Sequence, residues 1–227
     1  MSNIFIICEG PTEKIFVERL LAPYVFNKNS NVYLTPILIG QTNHKGGDVR
    51  YERFLRNFKN LRAPNCYIST LFDYFRIDSE WPGIEDINVQ KRSGANLSKE
   101  DILNILSTNT KNKIEKDLGI SCNNFIPNFE MHEFEALLFS DVKKLSENLP
   151  YNKNNEKYFS EILNNYNGDP ELINTTTAPS KVILNKVSSF KKTVDGIDIA
   201  EKIGIEKMRQ KCSCFNTWVS ILIDSNK

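Results

Sequence analysis

The residues of this 227-residue chain with chemical potential are acids, and they fall at recurring places. Glu9 follows the apolar run Ile4 to Cys8, and Glu13 comes four residues later. Asp73 closes the run Cys66 to Phe72. Glu130, Glu133 and Glu135 follow the short apolar stretch Phe125 to Phe129. In an open parallel α/β sheet, ligands bind outside the carboxyl ends of the strands, so acids from several strands converge on one crevice. Converging carboxylates repel. A hard divalent cation resolves that repulsion through oxygen ligands, and Mg²⁺ keeps several waters as it does so. Such a cation activates water and neutralises charge on a phosphoryl oxygen. Each acid also has an ordinary reading. Glu13 complements a helix dipole, Asp73 is a good turn residue, Glu9 could be a loop acid, and Glu133 and Glu135 could be solvated.

Other chemistries find less support. The two histidines, His44 and His132, are too few for His-rich zinc catalysis, and His132 reads as a hydrogen-bonded structural residue. No GxxxxGK[ST] loop and no GxSxG elbow occurs. The five cysteines, Cys8, Cys66, Cys122, Cys212 and Cys214, include no CxxC pair, which points to a reducing cytoplasm and away from structural zinc. Net charge is +1, so no global excess advertises nucleic acid or an acidic membrane. No apolar run is long enough for a bilayer, and the N-terminus lacks the basic and cleavage regions of a signal peptide. One segment is locally basic. Lys45, Arg50, Arg53, Arg56, Lys59 and Arg62 stand against Asp48 and Glu52, opposite the apolar stripe Tyr51, Phe54, Leu55, Phe58 and Leu61. Such a face is either a solvated helix surface or a phosphate-backbone track.

The elements that must position these groups are legible in outline. Ile4 to Cys8 reads as a strand buried on both faces, and Val32 to Ile39 and Cys66 to Phe72 read as further strands. Phe125 to Phe129 is a short strand interrupted by Pro127, hence near an edge. Pro11 suits the first turn of a helix that carries Phe16, Val17, Leu20, Leu21 and Tyr24 and nears its end at Pro23. Val49 to Leu61 and Lys99 to Leu118 are helical, Tyr74 to Gly94 is an elaborated loop, and helical period resumes over Glu130 to Phe139. Beyond Asp141 no strand follows. Helices are expected over Lys157 to Tyr166, Ser180 to Val187, Asp198 to Ile203, Ile205 to Lys211 and Phe215 to Asp224. The expected architecture is α/β: an N-terminal core, residues 1–141, with a mainly parallel sheet flanked by helices, and a helical C-terminal part, residues 142–227, packed on it.

The run Ile6-Ile7-Cys8-Glu9-Gly10-Pro11-Thr12-Glu13 resembles the opening of a Toprim domain, a Rossmannoid fold shared by topoisomerases, bacterial primases and overcoming-lysogenisation-defect nucleases. Toprim domains carry a later Asp-x-Asp. Here Asp73 matches the first acid and Phe75 stands where the second belongs. Phe72-Asp73-Tyr74-Phe75, Trp81-Pro82-Gly83 and the string from Glu130 through His132-Glu133-Phe134-Glu135 to Asp141 resemble the bacterial domain of unknown function family 4276. So do Gly46-Gly47 through Tyr51 and Arg53, Pro179-Ser180-Lys181, and Cys212 to Trp218.

The resemblance implies a Toprim-like nuclease dependent on Mg²⁺, with Mn²⁺ the alternate. It implies Glu9, Asp73 and Glu133 as catalytic residues, and Glu9, Glu13, Asp73, Glu133 and Glu135 as the metal set, with Glu133 and Glu135 replacing the missing Asp. Lys45, Arg50, Arg53 and Arg56 would bind nucleic acid, tRNA or DNA. Some members act in phage defence beside a companion ABC-type ATPase and cleave host tRNA after release. A homodimer and a cytoplasmic location are further expectations. The alternative is a non-catalytic partner of the ATPase.

Overall fold

The computed structural model describes residues 1–40, 49–150, 154–173 and 178–225. Its sheet is parallel throughout the described residues. The strands are β1 (Ser2–Cys8), β2 (Val32–Leu38), β3 (Cys66–Asp73), β4 (Phe125–Ile126) and β5 (Phe129–Glu130). Their order is β2-β1-β3-β4, with β5 also on β3. β1 pairs with β2 on one side and β3 on the other, so the chain reverses its winding between β1 and β3. That switch point opens a crevice at the strands' carboxyl ends, just where Glu9 and Asp73 emerge.

Helices cover both faces, which is why Ile4 to Cys8 of β1 is apolar throughout and why the buried Ser69 and Thr70 of β3 donate to the Ile126 and Asn128 carbonyls. Ile4, Ile6 and Cys8 of β1 and Leu71 of β3 pack toward α1 (Pro11–Phe16), α2 (Ala22–Lys28) and the C-terminal helices. Ile7, Ile68 and Phe72 pack toward α3 (Tyr51–Leu61), α4 (Ile84–Arg92) and α5 (Lys99–Leu118). An aromatic cluster fills this second layer. Trp81 lies edge-on to Phe72 and Phe129, and its indole N–H donates to the Thr110 hydroxyl at 2.9 Å. The indole so finds a partner in the core, as a buried Trp requires. α5 begins at Ser98, which forms a capping box with Asp101, and it ends at Gly119, whose φ is +63°.

After β5, a 3₁₀ segment (Phe134–Asp141) leads to α6 (Val142–Glu147), α7 (Asn155–Asn164), a 3₁₀ turn (Pro170–Leu172) and α8 (Pro179–Lys186). A π-turn (Lys192–Gly196), α9 (Ile197–Ile203), α10 (Ile205–Lys211) and α11 (Ser213–Asp224) complete the described chain. These elements share one hydrophobic core with β1 and α1. Trp218 of α11 reaches the sheet itself, where its indole N–H donates to Ser69 Oγ at 2.9 Å. Ser69 in turn donates to the Ile126 carbonyl at 2.6 Å.

Three expectations are corrected. The first helix does not stop near Pro23. A π-turn (Val17–Leu21) loosens the register ahead of the proline, Ala22 N–H bonding the Val17 carbonyl, and helix continues to Lys28. A wider turn accommodates a residue whose ring would otherwise clash with the preceding turn. The segment Tyr74 to Gly94 is not all loop. It holds a 3₁₀ turn (Tyr74–Arg76) and α4, which buries only Ile87 fully and so has no apolar stripe to read. Phe134–Asp141 is 3₁₀ rather than α-helical, and Phe134 through Ser140 are all buried.

Candidate active site

Glu9 lies one residue past β1, held there by its N–H on the Leu71 carbonyl at 3.3 Å. Its Oε2 accepts the Asp73 N–H at 3.3 Å and its Oε1 accepts Arg76 Nε at 3.2 Å. Asp73 ends β3 and caps the following 3₁₀ turn, Oδ1 accepting the Phe75 N–H at 2.8 Å. Strand register sets Glu130 opposite Asp73. Glu13 sits in the first turn of α1, and its carboxylate lies over Gly10, where a Cβ would meet Oε2 at 3.0 Å. A side chain at position 10 would push the Glu13 carboxylate by a few tenths of an ångström, so glycine there leaves its position undisturbed.

The second half of the site comes from the far end of the chain. Glu133 precedes the 3₁₀ segment and Glu135 lies in its first turn. Lys192 of the π-turn reaches between them, Nζ standing 3.1 Å from Glu133 Oε1 and 3.2 Å from Glu135 Oε2. Ser180, at the start of α8, donates its N–H to Glu133 Oε2 at 3.2 Å. Glu135 is 1% exposed, and its Oε1 is buried without a hydrogen-bond partner.

Each of these acids feels the charge of at least one other. Burial, with repulsion from Glu9 and Glu133, pushes Asp73 up to about 7. Burial, with repulsion from Glu9 and Glu135, likewise pushes Glu13 up to about 7. Burial raises Glu9 although the Asp73 N–H and Arg76 oppose it, and Glu133 adds to the rise. Burial raises Glu135 against the pull of Lys192. For Glu133 the balance reverses: burial is outweighed by Ser180 and Lys192, and its carboxyl is held below the usual range. Glu130, 8% exposed, is pushed by burial to about 8.

His132 is buried, neutral and stacked on Phe75, with burial lowering its imidazole to about 4. The five cysteines are free thiols, and burial pushes those of Cys8, Cys122, Cys212 and Cys214 up, away from nucleophile chemistry.

The sequence-derived acids Glu9, Glu13, Asp73, Glu133 and Glu135 are thus electrostatically coupled, with Glu130 beside Asp73. Among the described residues, no three His, Cys, Asp or Glu side chains are gathered as a metal-ligand group. The donor set still suits a hard cation by chemistry: all oxygen, in surplus over the local positive charge, with one buried carboxylate oxygen orphaned. Arg50, Arg53 and Arg56 lie along α3, which starts beside the site, since Val49 bridges Ile77 just after Arg76. Arg50 is nearest that edge, and each later arginine lies one turn farther away. Lys45 falls outside the described residues.

Sequence reasoning missed Arg76 and Lys192. Arg76 stands three residues after Asp73 and was readable as a possible counter-charge. Lys192 is 57 residues from Glu135, in a lysine pair with no local signal.

The fold and site define an α/β protein whose parallel sheet brings buried carboxylates to its switch point. The chain belongs to the family described as Domain of unknown function (DUF4276), which residues 8–223 match. Among solved structures, it is similar to the C-terminal region of the Xanthomonas campestris pv. campestris OLD protein, at 14% identity and TM-score 0.47. That match covers 99% of this chain and 96% of the other. It is also similar to the C-terminal region of the Burkholderia pseudomallei OLD protein, at 10% identity and TM-score 0.46, over 98% of this chain and 97% of that one. A comparison with curated proteins finds no match. No helix among the described residues is long and apolar enough to cross a membrane.

Proposed function

We propose that this protein is a metal-dependent phosphodiesterase that cleaves nucleic acid. The observation that carries the reading is the linked pair Glu9 and Asp73 at the β1–β3 switch point, coupled to Glu13, Glu133 and Glu135. Glu9 and Asp73 would hold Mg²⁺ or Mn²⁺, and Glu13, Glu133 and Glu135 would complete the set once the Lys192 ammonium moves off Glu133 and Glu135. The cation supplies charge neutralisation at the phosphodiester and activates water.

The chain's own groups do the rest. A buried carboxylate whose pKa burial raises is suited to proton transfer, which fits Glu9. Glu9 takes the proton as water attacks phosphorus, and that proton returns through solvent to the leaving ribose oxygen as the P–O bond breaks. Arg76 and Lys192 offer positive charge to the phosphate oxygens. Arg50, Arg53 and Arg56 guide the backbone toward the site.

By family resemblance, the substrate class extends to tRNA and the setting to a cytoplasmic phage-defence system in which an ABC-type ATPase holds the nuclease until release. A second reading, a non-catalytic ATPase partner, is favoured by one feature: Lys192 already neutralises two of the acids. Glu9→Gln separates the two. Under the nuclease reading, purified protein cuts labelled tRNA or plasmid DNA with Mg²⁺ and not with EDTA, and Glu9→Gln abolishes cleavage while the melting temperature is retained. Cleavage that survives in Glu9→Gln refutes the assignment.

A further inference from the structure

Phe75 is a large aromatic side chain left 55% exposed at the mouth of the acidic site. Its setting is built. The Phe75 N–H is fixed by Asp73 Oδ1 at 2.8 Å, so the acid that ends β3 also sets the turn presenting this ring. One face rests on the buried His132 ring, centroids 5.1 Å apart and planes 12° from parallel. Tyr74 packs on its edge at 4.9 Å. The exposed Lys91 lies 5.8 Å over the Tyr74 ring, and Arg76 follows directly. The other exposed aromatics among the described residues, Phe26 and Tyr33, pack on each other at 5.3 Å, Tyr33 lying on the edge strand β2.

A rigid aromatic ring, backed on one side and open on the other, flanked by cations and two residues from a carboxylate, is the arrangement on which an unpaired base stacks. Two residues of chain span at most about 7 Å, the scale of one nucleotide. We infer that Phe75, backed by His132, is a base-stacking platform that selects single-stranded nucleic acid, seating an unpaired base beside the phosphodiester at Glu9 and Asp73. The inference deepens the nuclease reading and rests on it for the position of the phosphodiester. His132 acts as a positioning residue: buried and stacked, it backs the ring. Bases in a duplex are stacked on their neighbours and present no free face, so the platform discriminates against paired substrate.

The test reads binding apart from cleavage. Fluorescence anisotropy in EDTA compares the full chain with Phe75→Ala and Phe75→Trp, on single-stranded RNA, single-stranded DNA and matched duplexes. A ladder of single strands each carrying one abasic position is added. Phe75→Ala should weaken single-strand binding about tenfold, within the range that one stacked base contributes, and leave duplex binding unchanged. Phe75→Trp should restore it, and one abasic position should reproduce the loss in the wild type. Equal weakening for both strand states, no change, or a wild-type preference for duplex overturns the platform. So does altered self-association in Phe75→Ala with unchanged oligonucleotide binding, which would assign the ring to a protein interface. Cleavage lost in Glu9→Gln but unaffected by Phe75→Ala discards the platform and keeps the nuclease. Single-strand binding lost in Phe75→Ala, with no Mg²⁺-dependent cleavage by the wild type, does the reverse.

Discussion

Replacing Lys192 by Gln tests whether the acid cluster is a charged site waiting for a cation. The ammonium lies 3.1 and 3.2 Å from two carboxylates. At an effective dielectric of ~20, each attraction is about 5 kcal/mol before desolvation. The lysine side chain is 39% exposed, so water returns most of this when the charge is removed. What remains is the cost of leaving Glu135, 2% exposed at the side chain, ionised with neither oxygen paired. We take about 2 kcal/mol, which for a chain of this size lowers Tm by about 4 to 8 °C. The sign with pH follows. Glu133 is held below the usual carboxylate range by Ser180 and Lys192 acting against burial, so its contribution is present above that range and lost as pH falls through it. Burial, opposed by Lys192, already raises Glu135, and losing the lysine raises it further, so protonation at low pH relieves the variant. Differential scanning calorimetry should therefore show a large wild-type-minus-variant gap at pH 8 that shrinks only as pH falls below about 4.5, so pH 8 is compared with pH 4. Mg²⁺ should narrow the gap at pH 8. A gap equal at both pH values and unmoved by Mg²⁺ would refute the reasoning.

Other outcomes follow from the same site. Asp73 and Glu13, both raised to about 7 chiefly by burial, favour the protonated fold, so the stability they contribute is lost as pH rises through 7. Cation binding needs the ionised forms, so the Tm increase caused by Mg²⁺ should be larger at pH 8 than at pH 6; the opposite order in thermal shift would count against the metal set. Glu130→Gln removes a carboxyl that burial holds up at about 8, and should raise Tm by several degrees at pH 9, by less at pH 6, and little at pH 4. Changing Arg50, Arg53 and Arg56 together to Gln should flatten the salt dependence of oligonucleotide binding, lowering the slope of log K against log salt by about 2 to 3. An unchanged slope would return these arginines to a solvated helix face.

The strands and their acids were legible because both signals are local. A run such as Ile4 to Cys8 is readable without knowing its neighbours, and an acid after it belongs to the carboxyl end whatever the sheet order. Lys99–Leu118 was readable to the residue, since Ser98 and Gly119 mark its ends. The 3₁₀ segment Phe134–Asp141 was misread because a period of 3.0 and one of 3.6 scarcely diverge over eight residues, and a segment buried all round has no polar face to mark the phase. α4 was missed for the opposite reason: nearly everything in it is solvent-facing. Lys192 could not be found, because its place depends on how α8 and α9 seat the turn between them, which is tertiary information.

The bond from Trp218 to Ser69 bears on the order in which the chain can mature. Ser69 is at the middle of β3, and the layer over it is supplied in part by Phe215, Trp218, Val219 and Leu222 of α11. During synthesis, residues 1–141 emerge with Glu9, Asp73 and Glu135 already made, but that face of the sheet stays uncovered until residues 213–224 have left the ribosome. A nascent chain therefore holds the acids before the closed core that buries them has formed, with apolar surface of the sheet still open to solvent.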